Sequence, residues 1–158
     1  MLAQINAVIQ KRPRVETGYT ATFFRINDTY GFKMFGYEDG GDEDKKFVQD
    51  IRKLQRVAHS LGFAPAVGRM FKVEWYGCPI WGYVTECVVE TWFGRHCTFG
   101  REDWNCPEYD AALDNYENDE DVSELRSRMM DNNYCTSDLH WHNVGYMPDG
   151  RLVCIDFS

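Results

Sequence analysis

Asp138, His140, His142 and Asn143 fall within the single run Asp138-Leu139-His140-Trp141-His142-Asn143, a density of polar chemistry that neither a helical nor a strand period explains. Met147-Pro148-Asp149-Gly150 then reads as a turn, and Leu152 to Ile155 as a strand that delivers Asp156 and Phe157 at its end. A hairpin of that kind brings Asn143 and Asp156 together from its two arms. An amide oxygen beside a carboxylate is hard-oxygen chemistry suited to Mg²⁺, which fills its remaining positions with water and phosphate. Asp138 stands shortly before Asn143, near enough to orient a hydroxyl beside that metal. The residues by themselves thus predict a Mg²⁺-capable Asp/Asn/Asp site. His140 and His142 read as orienting the loop by hydrogen bonding rather than as metal ligands, and Trp141 as a packing residue.

The elements that must position these groups follow from hydrophobic periodicity. Tyr19 to Phe35 is rich in β-branched and aromatic residues and is broken by Asn27 and Asp28, so it reads as a hairpin. Within it, alternation puts Lys33 on the same face as Gly31 and Phe35, an unusual place for a cation unless the lysine snorkels from a half-exposed strand. Glu38 to Asp44 reads as a loop. Phe47, Ile51, Leu54, Val57 and Leu61 then recur at helical spacing, and Gly62 and Pro65 close that helix. Strands are expected at Ala66 to Val73 and Ile80 to Val89, with Tyr76-Gly77-Cys78-Pro79 as the turn between them. Glu90 to Pro107 shows little periodicity and reads as a loop, and the spacing of His96, Cys97 and Cys106 fits no zinc ribbon or finger. Tyr109 to Asp121 reads as a solvated acidic face, and Val122 to Met130 as a short helix ended by Asp131-Asn132-Asn133.

Composition bounds the rest. The 158 residues suit one domain, and 44% hydrophobic with 15% aromatic residues excludes wholesale disorder. A net charge of −8 argues against phosphate-backbone contact as a source of affinity, so nucleic acid is not an expected partner. Met1 to Ile9 has neither a charged n-region nor an apolar h-region, and no stretch approaches a membrane span, so a soluble cytoplasmic protein without membrane contact is expected. Without secretory context, the six cysteines read as reduced thiols.

Asp138-Leu139-His140-Trp141-His142-Asn143, followed by Ile155-Asp156-Phe157, resembles the catalytic loop and metal motif of the protein-kinase-like superfamily. The D-L-H-x-x-N form is closer to the aminoglycoside and choline phosphotransferases, and to small bacterial and phage kinases, than to the eukaryotic form. This resemblance implies an α+β protein-kinase-like fold. It would have a five-stranded antiparallel small lobe with one main helix over residues 1–89, and a shortened, mainly helical large lobe over 90–158. It implies ATP and Mg²⁺ as cofactors, Asp138 as the base that accepts or orients the acceptor hydroxyl proton, and Asn143 and Asp156 as the metal ligands. Lys33 matches the third-strand lysine that holds the α- and β-phosphates, and Gly18 the phosphate-covering loop. Asp50, four residues before Leu54, stands in the place of the helix glutamate that pairs with that lysine. Thr85 falls at the gatekeeper place, with the Glu86 and Val88 backbones facing adenine. The resemblance runs out at Ser158, where a glycine would follow Asp-Phe, so a chain without activation segment or peptide-binding helices is expected.

Three readings remain open at this level. The first is a compact, phage-type phosphotransferase that keeps Lys33, Asp138, Asn143 and Asp156 and acts on a protein hydroxyl. The second is a kinase-fold binding module, catalytically weak or inactive, that inhibits or scaffolds a host protein, with dimerisation over exposed apolar surface as a corollary. The third is an acidic decoy for a nucleic-acid-binding enzyme, carried by the Tyr109 to Glu124 face.

Overall fold

The computed structural model describes residues 1–11, 16–17, 21–36, 40–100 and 106–157. It is an α+β protein whose chain divides into two units, Met1–Cys87 with Phe157, and Val88–Asp156. Within the second unit Val89 N–H donates to Tyr146 O.

The first unit is built on an antiparallel sheet of β1 (Glu16–Thr17), β2 (Ala21–Arg25), β3 (Tyr30–Phe35), β4 (Val67–Trp75) and β5 (Cys78–Glu86), in the order β1-β2-β3-β5-β4. Asn27 makes the β2–β3 connection: its Oδ1 accepts from Thr29 N at 2.9 Å and Tyr30 N at 2.8 Å, an Asx turn that reverses the chain. At the β4–β5 connection Tyr76 and Gly77 both take positive φ, 51° and 81°, the geometry of a primed two-residue hairpin. Strand pairing therefore resumes at Cys78, earlier than the sequence suggests.

A helix covers each face of this sheet. α1 (Leu2–Gln10), which periodicity did not announce, sets Ile5 and Ile9 against Phe24, Phe32, Met34, Val73, Ile80 and Val84. A nine-residue helix is too short to persist alone, and the burial of each isoleucine, worth about 2 kcal/mol, holds it in place. α2 (Asp42–Ser60) covers the other face, with Val48 and Ile51 against Ala21, Phe35 and Tyr83, and with Phe157 packed on the same cluster. Three acidic residues in its first turn interact favourably with the positive end of the helix dipole, and Asp44 accepts from Gly41 N at 3.3 Å.

The buried face of α2 corrects the expected one. It carries Val48, Ile51, Gln55 and Ala58, whereas Leu54, Val57 and Leu61 are 47%, 45% and 39% exposed. The helix is turned so that a glutamine and an alanine, not the longer apolar side chains, lie against the sheet.

The second unit comprises β6 (Glu90–Thr91), α3 (Trp92–His96), α4 (Pro107–Glu117), α5 (Glu120–Asp131), β7 (Val144–Tyr146) and β8 (Leu152–Cys154), with the sheet ordered β6-β7-β8. β6 and α3 thus occupy part of the segment expected as loop; Thr91 caps α3 by accepting from Gly94 N at 3.0 Å. The acidic stretch is largely α4, which buries Ala112 and Tyr116 and leaves Asp110, Asp114 and Glu117 exposed. Asp119 is not part of that solvated face. Its Oδ1 caps α5 through Val122 N and its Oδ2 accepts from Trp92 Nε1 at 2.9 Å, so it is a structural carboxylate. All six cysteines are free thiols. Among the described residues no helix is long and apolar enough to cross a membrane.

Candidate functional site

The polar run of the second unit sits between α5 and β7, and it is anchored from below by aromatic side chains. Trp141, 6% exposed, has ring contacts with Trp92, Phe93, Phe99, Tyr109 and Tyr116. Tyr116 Oη donates to Leu139 O at 2.9 Å, and Phe93 N donates to Trp141 O at 3.2 Å. Burial pushes the Tyr116 hydroxyl well above the ordinary tyrosine range, so it stays protonated as a donor. The loop backbone is further held by Leu139 N to Thr136 O, His140 N to Asp138 O and Asn143 N to His140 O, the last at 2.7 Å. Trp141 is a packing residue, as its place in the sequence suggests.

On this frame Asp138 and Asn143 meet directly. Asn143 Nδ2 donates to Asp138 Oδ2 at 2.9 Å and to Asp138 O at 3.0 Å. With the amide nitrogen so committed, the Asn143 oxygen is turned away from the aspartate, an atom suited to an oxygen-seeking cation. The Asp138 side chain is 68% exposed and open to an incoming hydroxyl. His140 orients the loop: its Nδ1 accepts from His142 N at 3.2 Å, which puts the ring proton on Nε2, facing Asp138 Oδ1 at 3.7 Å. That separation is an electrostatic neighbour, not a hydrogen bond.

The β7–β8 hairpin delivers Asp156 in a register one residue off a direct pairing with Asn143. Val144 pairs with Cys154, and Ile155 N donates to Asn143 O at 2.9 Å, so Asn143 stands opposite Ile155 and Asp156 follows one position on. Asp156 is half-buried, and its carbonyl accepts from Cys154 Sγ at 3.1 Å. One carboxylate and one amide oxygen are a fitting donor set for Mg²⁺, which needs few protein ligands. Among the described residues no group of three or more His, Cys, Asp or Glu side chains forms a closed metal cage.

A cavity of about 670 Å³ opens beside the loop within this unit, with Phe93, Tyr109 and Trp141 among its aromatic walls and the Glu117–Arg126 pair, at 3.1 Å, among its polar ones.

The remaining candidates belong to the first unit. Lys33 is 6% exposed, buried rather than snorkelling; it stands opposite Phe23 on β2 and Tyr83 on β5, with its Nζ 5.5 Å from the Phe35 ring centre. Thr85, also 6% exposed, pairs with Gly31 and donates to Ala66 O at 3.2 Å. Glu86 N–H is taken by Ala66 O at 2.9 Å, the Glu86 carboxylate by Ala66 N at 3.1 Å, and the Glu86 carbonyl lies 3.4 Å from Thr85 Oγ1. Val88 opens the second unit, with its side chain packed on Gly145. Asp50 lies on the exposed side of α2, away from the Ile51 and Gln55 positions that face the sheet. Gly18 lies outside the described residues.

Sequence reasoning passed over Tyr116 and Gln55. The signal for Tyr116 was its helical spacing from Ala112 inside an acidic run. For Gln55 there was none, since apolar periodicity skips a glutamine. No protein-family model matches the chain, and no curated protein matches it in sequence.

Proposed function

We propose that the chain is an ATP- and Mg²⁺-dependent phosphotransferase of protein-kinase-like fold that transfers the γ-phosphoryl group to a protein hydroxyl. The observation that carries this reading is the pairing of Asp138 with Asn143 on an anchored loop, followed by a hairpin that presents Asp156. The first unit supports it with a five-stranded antiparallel sheet, a helix after β3 and a buried lysine on that strand.

In this reading Asp138 accepts or orients the acceptor hydroxyl proton, and the Asn143 amide keeps the carboxylate aimed. Asn143 and Asp156 hold Mg²⁺, which would neutralise phosphate charge when bound. Lys33 provides a fixed positive charge for the α- and β-phosphates. Such transfer asks mainly for positioning and charge neutralisation, which these side chains are suited to supply. The test is transfer of labelled γ-phosphate from Mg-ATP by the purified chain, alone and with cell lysate. Asp138→Ala should lower transfer by about 10²-fold or more while nucleotide binding survives; equal transfer by that variant sinks the assignment.

A second reading, a kinase-fold module that works by binding a host protein, is favoured by one observation: Asp50 is turned to the exposed side of α2 beside the exposed Leu54 and Val57. Absence of transfer by a folded chain, with stoichiometric co-purification of a host protein by Asp156→Ala, would select it.

A further inference from the structure

Among the described residues the buried polar side chains are Lys33, Gln55 and Thr85, and all three lie in the first unit. They are linked through Tyr83. Lys33 stands opposite Tyr83 across β3 and β5, and Thr85 lies two residues further along β5, on the same face. Gln55, 1% exposed on α2, bridges the two β5 positions: Tyr83 Oη donates to Gln55 Oε1 at 2.7 Å, and Gln55 Nε2 donates to Thr85 Oγ1 at 2.9 Å and to Pro65 O at 3.1 Å.

These partners fix the amide's orientation. A primary amide has two N–H donors and one carbonyl, and here both donors and the carbonyl are engaged. Flipping it would point oxygen at the Pro65 carbonyl. A buried amide costs free energy unless satisfied, and Val48, Ile51 and Ala58 fill the rest of the same helix face without that cost. Packing alone does not call for a glutamine at this place.

We propose that Gln55 is a positioning residue of the nucleotide site, tying α2 to β5 so that Tyr83 is fixed beside Lys33 and Thr85 is fixed at the end of the strand. The inference rests on reading Lys33 and Thr85 as nucleotide contacts. Gln55 thereby fastens α2 to the sheet from the buried face, where the resemblance had placed an acidic residue that this helix carries on its exposed side as Asp50.

The experiment is equilibrium binding of Mg-ADP to wild type, Gln55→Met, Tyr83→Phe, the double variant and Lys33→Met. It is run at a temperature where each is fully folded by near-ultraviolet circular dichroism. Gln55→Met keeps the length and packing and removes the amide; it should weaken binding about tenfold. Tyr83→Phe removes one hydrogen bond and should weaken it about threefold. The double variant should bind no more weakly than Gln55→Met, because the hydroxyl acts through the amide. A merely structural glutamine would lower the melting temperature and leave the dissociation constant unchanged in folded protein. If wild type binds, Lys33→Met does not, and Gln55→Met binds as wild type, the inference falls and the nucleotide reading stands. If wild type itself does not bind, both fall. Should Gln55→Met fail to fold, Tyr83→Phe decides, and an unchanged constant there overturns the inference.

Discussion

The ring of Phe23 lies over Gly31, in the space a side chain at that position would occupy: a Cβ built there would overlap Phe23 Cζ and its neighbours. The two residues are on paired strands, on the sheet face that also carries Lys33. Gly31→Ala should cost about 1 kcal/mol, the displacement of a half-buried ring set against the entropy regained by losing a strand glycine. Adding Phe23→Ala should remove much of that cost, giving a non-additive cycle in urea unfolding. Gly82→Ala has no such relief, since its Cβ would meet the backbone carbonyl of Lys33, and it should lower stability by more than Gly31→Ala. Additive Gly31 and Phe23 effects would show that the ring is not seated as described.

Asn143→Asp is the most informative change at the polar loop. It would set a second carboxylate where the amide nitrogen now meets Asp138 Oδ2 at 2.9 Å. Like charges at that range raise one carboxyl's pKa, so any residual transfer should have its acidic limb moved to higher pH. A pH–rate profile of phosphoryl transfer checks it, with Asp138→Ala as baseline. A limb that stays in place would separate Asn143 from Asp138 in function.

Cys135 should be the first of the shifted thiols to alkylate. It is exposed, its Sγ lies 3.0 Å from Ser137 Oγ, and that hydrogen bond holds its pKa below the ordinary thiol value. Burial pushes the Cys87 and Cys97 thiols up instead. At neutral pH more of Cys135 is thiolate, and thiolate is the reactive form. Peptide mapping after brief iodoacetamide treatment should find Cys135 labelled ahead of the other two, and Ser137→Ala should slow it. Cys87 or Cys97 labelling first would contradict this ordering.

Alkali should loosen the second unit through Tyr116. Burial raises its folded-state pKa above the ordinary 10.0, so the unfolded chain loses the phenolic proton first. The resulting stability is fully present below about pH 10 and is lost as pH rises toward the folded value. Urea midpoints should fall with rising pH, first shallowly through the ordinary thiol range because burial raises Cys87 and Cys97, then more steeply above about pH 10. Tyr116→Phe should flatten that fall without abolishing it, because burial also raises Tyr134 and Tyr146. It should also release Leu139 O from its 2.9 Å bond and make the loop amides exchange faster.

The polar cluster was legible because Asp138, His140, His142 and Asn143 violate every regular period at once, and β2 and β3 because aromatic and β-branched residues cluster there. The register was less so. Asn143 faces Ile155 and not Asp156, since the turn closes on Met147 N to Arg151 O and shifts the pairing by one. The orientation of α2 was misread because Leu54 and Val57 look apolar in sequence while hydrogen bonding, not hydropathy, decides for Gln55. α1 and α3 were missed because their nine and five residues offer too few turns for a period to declare itself.

The Trp92 and Trp141 rings lie 6.4 Å apart and within 11° of parallel, beneath the loop that carries Asp138. Two indoles so close and so aligned couple their electronic transitions, and His142 and Tyr109 lie within ring-contact range of Trp141 as quenching neighbours. The chain therefore contains its own optical gauge: any rearrangement of the 138–143 loop will rewrite the near-ultraviolet circular dichroism and tryptophan emission without an added label.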